Sequence, residues 1–301
     1  MIPKRRIYIS APADGNLDQD QLAIKMAILR AIENEGFEPQ EFFSSGIPKT
    51  MAWRFEAANQ VMSRCQGAAI LAFARWHCTS SNREDILFDL PSEYNHFEGA
   101  LAFSHKLPLL VITDRRSRTS GITLLSEGPV IFWPDSIGPE WINDKSFLTG
   151  QFKEWCTHVK SRPDVFLGYC SNARNTAFDF ARYMEHDLGL IVREYSMDFQ
   201  AGGTILEQIE DVCRESTCGV FLFTKDDQFT GDDVHAAPRD NVIFEAGYFM
   251  HAKGKEQVLV IREEGAKMPA DIGGNIYIPL KDRNDISGIH TQLRRFLENR
   301  L

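Results

Sequence analysis

Two stretches of the chain read as copies of one another. Asn95-His96-Phe97-Glu98-Gly99-Ala100 leads into Leu109-Leu110-Val111-Ile112, and Arg239-Asp240-Asn241-Val242-Ile243-Phe244-Glu245-Ala246-Gly247-Tyr248 leads into Val258-Leu259-Val260-Ile261. Each places a Phe-Glu pair at the start of a helix rich in small residues and follows that helix with an apolar strand. A chance likeness fades outward from its best match, whereas a duplicated domain matches element by element.

The likeness does not fade. Ile7-Tyr8-Ile9-Ser10 corresponds to Val165-Phe166-Leu167-Gly168, each a short apolar strand followed by a polar loop. A helix from about Gln19 to Asn34 ends at Gly36, and one from about Thr176 to Asp187 ends at Gly189, as a glycine C-cap predicts. Ala68-Ala69-Ile70-Leu71-Ala72-Phe73 answers to Gly219-Val220-Phe221-Leu222-Phe223, near-continuous apolar runs of the kind a strand buried on both faces requires. Val130-Ile131-Phe132 precedes a helix reaching about Val159, and Ile276-Tyr277-Ile278 precedes one reaching Leu301. Strands alternating with helices across short loops predict an α/β chain of two tandem flavodoxin-like, doubly wound domains, each a central parallel sheet flanked by helices. The boundary falls near Lys160 to Pro163, giving domains 1–160 and 161–301, each long enough to bury its own core.

Composition excludes some functions. With 33 basic and 42 acidic residues the net charge is −9, which disfavours a nucleic-acid surface. The acidic excess sits mostly in the second half. No stretch has the apolar length of a membrane span and the N-terminus lacks the apolar core of a signal peptide, so a cytoplasmic protein with no membrane partner is expected. Six cysteines show no metal-ligand spacing, and neither His235 nor His251 has a second ligand nearby in sequence, so scattered reduced thiols and no metal are expected.

The second half carries a more specific pattern. Val165-Phe166-Leu167-Gly168-Tyr169, Gly202-Gly203-Thr204-Ile205-Leu206-Glu207-Gln208-Ile209-Glu210, Phe223-Thr224-Lys225-Asp226-Asp227, the segment from Pro238 to Phe249, and Met268-Pro269-Ala270-Asp271-Ile272-Gly273-Gly274 with Tyr277-Ile278-Pro279-Leu280 follow in that order. From about Asp164 to Leu280 the chain resembles the bacterial TIR-like domain family that supplies effector domains to cyclic-nucleotide antiphage defence systems. Arg239-Asp240-Asn241-Val242-Ile243-Phe244-Glu245 with the following Gly247-Tyr248-Phe249 is the most specific part. The resemblance implies NAD⁺ cleavage at the nicotinamide N-glycosidic bond, with Glu245 as the catalytic residue and ADP-ribose or a cyclised form as product. NAD⁺ is then a substrate and no separate cofactor is needed. The resemblance also implies activity switched on by assembly into a homo-oligomer or filament, in response to a nucleotide activator, with Phe199 to Gly203 as the loop that gates the pocket.

The chemistry is consistent with one carboxylate. Breaking the bond builds oxocarbenium-like charge on the ribose, which a carboxylate beside the ring stabilises while hydrogen-bonding ribose hydroxyls. Nicotinamide leaves as a neutral base, so no strong general acid is required. Candidate substrate contacts are Tyr169, Cys170, Ser171 and Asn172 after the first strand, Gly202 and Gly203 as a hinge, and Tyr248. Arg239 is a candidate for substrate phosphate or for a surface ion pair, and Asn241 for ribose or for capping the glutamate helix. Tyr248 and Glu245 also have bland readings, as core packing and as a favourable charge on the helix dipole.

In the first half the pattern breaks. Glu98 keeps its place, yet Ser92-Glu93-Tyr94-Asn95 stands where the second half has its arginine. Glu98, Tyr94 and Ser10 form a candidate second site, reminiscent of nucleoside deoxyribosyltransferase-like folds in which a comparable glutamate attacks a sugar. Sensing or scaffolding is the preferred role for this divergent domain. Trp53 and Trp76, each beside an arginine, are candidates for stacking on a base. Three classes therefore compete: an NAD⁺ glycohydrolase effector, a non-catalytic nucleotide-binding signalling module, and a deoxyribosyltransferase-like enzyme using Glu98.

Overall fold

A computed structural model describes residues 4–42, 54–80, 83–115, 117–124, 130–133, 139–143, 145–194, 205–229, 232–269 and 277–301. The chain divides into two compact units, Lys4–Ser161 and Arg162–Leu301.

The first unit is built on strands β1 (Arg6–Ser10), β2 (Glu38–Glu41), β3 (Gly67–Ala72), β6 (Leu109–Asp114) and β7 (Val130–Trp133). They form one parallel sheet in the order β2-β1-β3-β6-β7. The second unit repeats this with β8 (Val165–Gly168), β9 (Val192–Glu194), β10 (Cys218–Phe223), β13 (Val258–Glu263) and β14 (Tyr277–Leu280), in the order β14-β13-β10-β8-β9. Numbered within their own unit, both sheets have the 2-1-3-4-5 order of flavodoxin-like folds.

The registers coincide as well. Ile7 pairs with Gly67 and Ser10 with Ile70 in the first sheet, while Val165 pairs with Cys218 and Gly168 with Phe221 in the second. Ala68 pairs with Leu109 and Gly219 with Val258. Tyr8 thus corresponds to Phe166, and Ser10 to Gly168. Each unit also carries an antiparallel hairpin between its third sheet strand and the glutamate helix: β4 (Trp76–Ser80) with β5 (Arg83–Leu90), and β11 (Asp227–Phe229) with β12 (Asp232–Ala237). The alternation of strand and helix in the sequence does not reveal these hairpins.

Alternating strand residues feed two cores per unit, one on each face of the sheet. Ile7 and Ile9 pack with helices α1 (Gln19–Asn34) and α5 (Gln151–Ser161), whereas Tyr8 points to the opposite face with α2 (Phe55–Met62) and α3 (Glu93–Ser104). Val165 and Leu167 pack with α6 (Arg174–Arg182) and α9 (His290–Arg300), while Phe166 faces α7 (Ile205–Glu215) and α8 (Asp240–Lys253). Period-2 burial on both faces is what a doubly wound sheet demands. A short α4 (Lys145–Thr149) precedes α5.

Local signals fix the helix ends. Asp18 and Gln21 form a capping box at the start of α1, and Gly36 follows its end at φ +88°. Gly189 at φ +69° closes the corresponding segment of the second unit, where α6 runs on through a π-helical stretch, Tyr183–Asp187.

Candidate active site

The Phe-Glu pairs do not begin their helices. Glu98 and Glu245 are each the sixth residue, in α3 and α8 respectively, so both carboxylates sit in the second turn rather than at the helix N-terminus. A proline precedes each N-cap, Pro91 before Ser92 and Pro238 before Arg239, so the two helix approaches differ by the arginine rather than by the proline.

Glu245 is 2 % exposed, and its Oε2 has no hydrogen-bond partner among the described residues. Burial pushes its carboxyl from an ordinary value of 4.5 up to about 8. The cause is an apolar surround. Phe166, Phe221 and Phe249 pack against one another with ring centroids 5.2 to 5.8 Å apart, and Val242 and Ala246 join the same core. A Cβ built on Gly168, the last residue of β8, would lie 3.1 Å from Glu245 Oε2. The carboxylate therefore meets the carboxyl end of β8 beside β10, where the strand order reverses. That crevice is where doubly wound sheets bind ligands.

Polar groups gather at the same edge around Asp226. Its Oδ1 accepts from Cys170 Sγ at 2.8 Å, Thr224 Oγ1 donates to its carboxylate at 2.9 Å, and the Arg239 backbone N–H donates to Oδ2 at 3.2 Å. One carboxylate thus ties the loop after β8, the loop after β10 and the entry to α8. Glu263 extends the edge, accepting the Lys225 N–H at 2.8 Å and a two-point ion pair from Arg283. Burial, with the Asp226 bond adding to it, raises the Cys170 thiol above its ordinary range, so Cys170 is a hydrogen-bond donor here rather than a nucleophile.

The other sequence candidates fall into place around this edge. Tyr169 is half-buried and donates to Glu194 Oε2 at 2.9 Å; burial and then that carboxylate push its hydroxyl up to about 12. Ser171 and Asn172 form an exposed turn after Cys170. Arg239 is half-exposed and its Nη1 lies 3.0 Å from Asp227 Oδ1. One expectation is corrected. Asn241 does not cap α8, because the N-cap position is Arg239 and Asn241 is an exposed residue within the first turn. Tyr248 packs half-buried against the core that includes Cys213 of α7. Gly202, Gly203 and the rest of the Phe199 to Gly203 loop lie outside the described residues, as does Trp53.

The first unit is arranged differently at the equivalent position. Glu98 is buried, and its Oε1 accepts from the Tyr8 hydroxyl at 2.8 Å. Asn95 Nδ2 donates to Ser10 Oγ at 2.9 Å and to the Leu71 carbonyl at 3.3 Å, and Ser92 Oγ donates to Asn95 Oδ1 at 2.8 Å. Ser10 is therefore engaged within the core rather than offered to a ligand. Tyr94, one helical turn before Glu98 on α3, is 45 % exposed. Trp76 is also exposed, with the Arg75 guanidinium 5.2 Å from its ring centre. Sequence reasoning missed Tyr8, Asp226 and Thr224, although Tyr8 against Phe166 is visible once the copies are aligned.

Among the described residues, no group of three or more His, Cys, Asp or Glu side chains is placed to hold a metal ion, and no helix is long and apolar enough to cross a membrane. All six cysteines are free.

Comparison with known proteins adds the family. A family model for the TIR domain of CAP12/Pycsar effector proteins matches residues 164–282, within the second unit. CD-NTase-associated protein 12 of Flavobacterium daejeonense is 47% identical over 57 residues, 19% of this chain and 18% of that one. Pycsar effector protein BcPycTIR of Burkholderia cepacia is 30% identical over 126 residues, 40% of this chain and 42% of its own. CD-NTase-associated protein 12 of Sphingobacterium faecium is 33% identical over 137 residues, 45% of this chain and 41% of its own. The matched part of the chain thus spans less than half the length of each of these relatives. With its sheet order, its glutamate helix and this family match, the segment 164–282 is a TIR domain of the CAP12/Pycsar effector family.

Proposed function

We propose that the second unit cleaves NAD⁺ at the nicotinamide N-glycosidic bond, with Glu245 as the reacting carboxylate, and that the chain is an antiphage effector. The observation that carries this reading is the buried Glu245 carboxyl, one oxygen unpartnered, at the sheet's switch point. Such a group is costly to maintain for structure alone. Its use is to meet charge that develops on a ligand: an oxocarbenium-like ribose offers both positive charge and hydroxyl donors. The cationic nicotinamide ring entering the pocket would itself favour the ionised carboxylate, so substrate binding prepares the group that acts on it. Asp226 holds the surrounding loops, and Arg239 stands at the rim for the pyrophosphate. The product is ADP-ribose or its cyclised form. Assembly into an oligomer, in response to a nucleotide signal, supplies the on-switch, and the first unit serves as sensor or scaffold.

The test is nicotinamide release from NAD⁺ by the full chain, by Glu245→Ala and by Glu98→Ala, repeated at high protein concentration and with cyclic nucleotides. Loss in the Glu245 variant alone supports the reading. Loss in the Glu98 variant alone would overturn it in favour of the first unit.

A further inference from the structure

Glu98 accepts a hydrogen bond from a phenol where Glu245 has none, and that bond traces to one atom. Strand registers and helix positions match Tyr8 to Phe166, Ser10 to Gly168, Asn95 to Val242 and Glu98 to Glu245. In the first unit the Tyr8 hydroxyl, 0 % exposed, donates to Glu98, and Ser10 with Asn95 fills the adjoining space. The second unit has a phenylalanine, a glycine and a valine at these places, none with a side-chain donor. Its glutamate oxygen is left bare against Gly168.

We propose that Phe166 is a positioning residue whose lack of a hydroxyl keeps the Glu245 carboxylate open to a ligand, and that Tyr8–Glu98 is the closed form of the same frame. The inference rests on the reading of Glu245 as the reacting carboxylate. Its physical core does not, because a buried carboxylate that gains a hydrogen-bond donor is stabilised in its ionised form whatever it is used for. A carboxylate already held by a phenol has less to give a developing cation or a ribose hydroxyl. The first unit's glutamate is accordingly a structural acceptor.

The test is Phe166→Tyr in the full chain, with Phe166→Leu as a donor-free control. The side-chain carboxyl of Glu245, followed by carbon NMR with ¹³C-labelled glutamate, is expected to titrate at least about one pH unit lower in Phe166→Tyr and not lower in Phe166→Leu. Nicotinamide release is expected to fall at least about tenfold in kcat, with KM for NAD⁺ changed less than about twofold, since the added hydroxyl competes only for the carboxylate. The reciprocal Tyr8→Phe removes an atom rather than adding one, so it tests the same pairing where Phe166→Tyr fails to fold. It is expected to raise the Glu98 titration midpoint and leave nicotinamide release unchanged. An unmoved Glu98 midpoint in Tyr8→Phe, or an unmoved Glu245 midpoint in folded Phe166→Tyr, overturns the proposal. Shifted midpoints in a chain whose wild type releases no nicotinamide even at high protein concentration and with cyclic nucleotides present leave the pairing standing and refute the NAD⁺ reading instead.

Discussion

The Cys170 thiol donates to Asp226 at 2.8 Å, and through that bond the loop after the first strand of the TIR domain is tied to the loop after its third. Asp226 also accepts from Thr224 and from the Arg239 backbone, so one carboxylate sets the spacing of the pocket rim. Removing it takes an acceptor from three donors at once and, among the described residues, leaves Cys170 and Thr224 only their 3.7 Å contact with each other. Asp226→Ala is expected to cost about 2–4 kcal/mol of stability by urea unfolding, at roughly 1 kcal/mol per lost bond. Cys170→Ala, which removes one donor and leaves the acceptor its other partners, should cost less. Equal costs would mean that the carboxylate does not hold the rim together.

Gly168 packs against Glu245, and its missing side chain is part of the site. A Cβ there would meet Phe221 at 2.5 Å as well as the glutamate at 3.1 Å, and Phe221 is fully buried, packed edge-on against the stacked pair Phe166 and Phe249. Gly168→Ala is expected to lose about 1–3 kcal/mol through overpacking. Gly247, on α8 with nothing within 4 Å of its would-be Cβ, is the control. There the same change should stabilise by up to about 1 kcal/mol through helix propensity. A Gly168→Ala protein as stable as wild type would show that the aromatic trio is loose.

Glu245 sets a stability profile with a definite sign. Its folded carboxyl is held near 8 against an ordinary 4.5, so below 4.5 both folded and unfolded chains keep the proton and its contribution is complete. As pH rises from there to about 8 only the unfolded chain releases the proton, and stability is lost at up to about 1.4 kcal/mol per pH unit. Glu245→Gln does not titrate. The variant should therefore match wild type near pH 4.5 and exceed it by a few kcal/mol at pH 8 and above. Urea unfolding of the second unit at both pH values checks this, and a gap that does not change with pH would contradict the buried neutral carboxyl.

Much of this frame can be read from residues. The apolar runs at Ala68–Phe73 and Gly219–Phe223 mark strands buried on both faces, and both belong to central strands of five-stranded parallel sheets. Gly36 and Gly189 mark helix ends because no other residue takes their positive φ easily. The hairpins are illegible for the opposite reason: Trp76-His77-Cys78-Thr79-Ser80 and Asp232-Asp233-Val234-His235 carry no apolar run to mark them as strands. Helix starts are misplaced because Asp240 and Asn241 suit a cap in isolation, while the proline before Arg239 moves the cap two residues back. Asp226 is invisible in sequence because its partners come from three separate loops. Long-range polar hubs of this kind have no local periodicity to betray them.

Arg239 offers the sharpest separation between a structural and a ligand-binding role. Its guanidinium lies 3.0 Å from Asp227, with the two side chains 49% and 46% exposed. An ion pair that open contributes less than about 1 kcal/mol, because water screens it and two long side chains lose freedom to form it. Arg239→Ala is therefore expected to change unfolding stability by no more than that. The backbone N–H that Asp226 uses is retained in the variant, so the pocket rim stays in place. If the arginine meets a phosphate of NAD⁺, the variant loses a charged hydrogen bond of about 1.5–3 kcal/mol, roughly a ten- to hundredfold rise in KM. The phosphates lie away from the bond being broken, so kcat should hold. Asp227→Ala releases the guanidinium from its competitor and should leave KM unchanged or lower it. A KM that rises equally in both variants would show that the ion pair itself shapes the site, and an unchanged KM in Arg239→Ala would leave the arginine a surface residue.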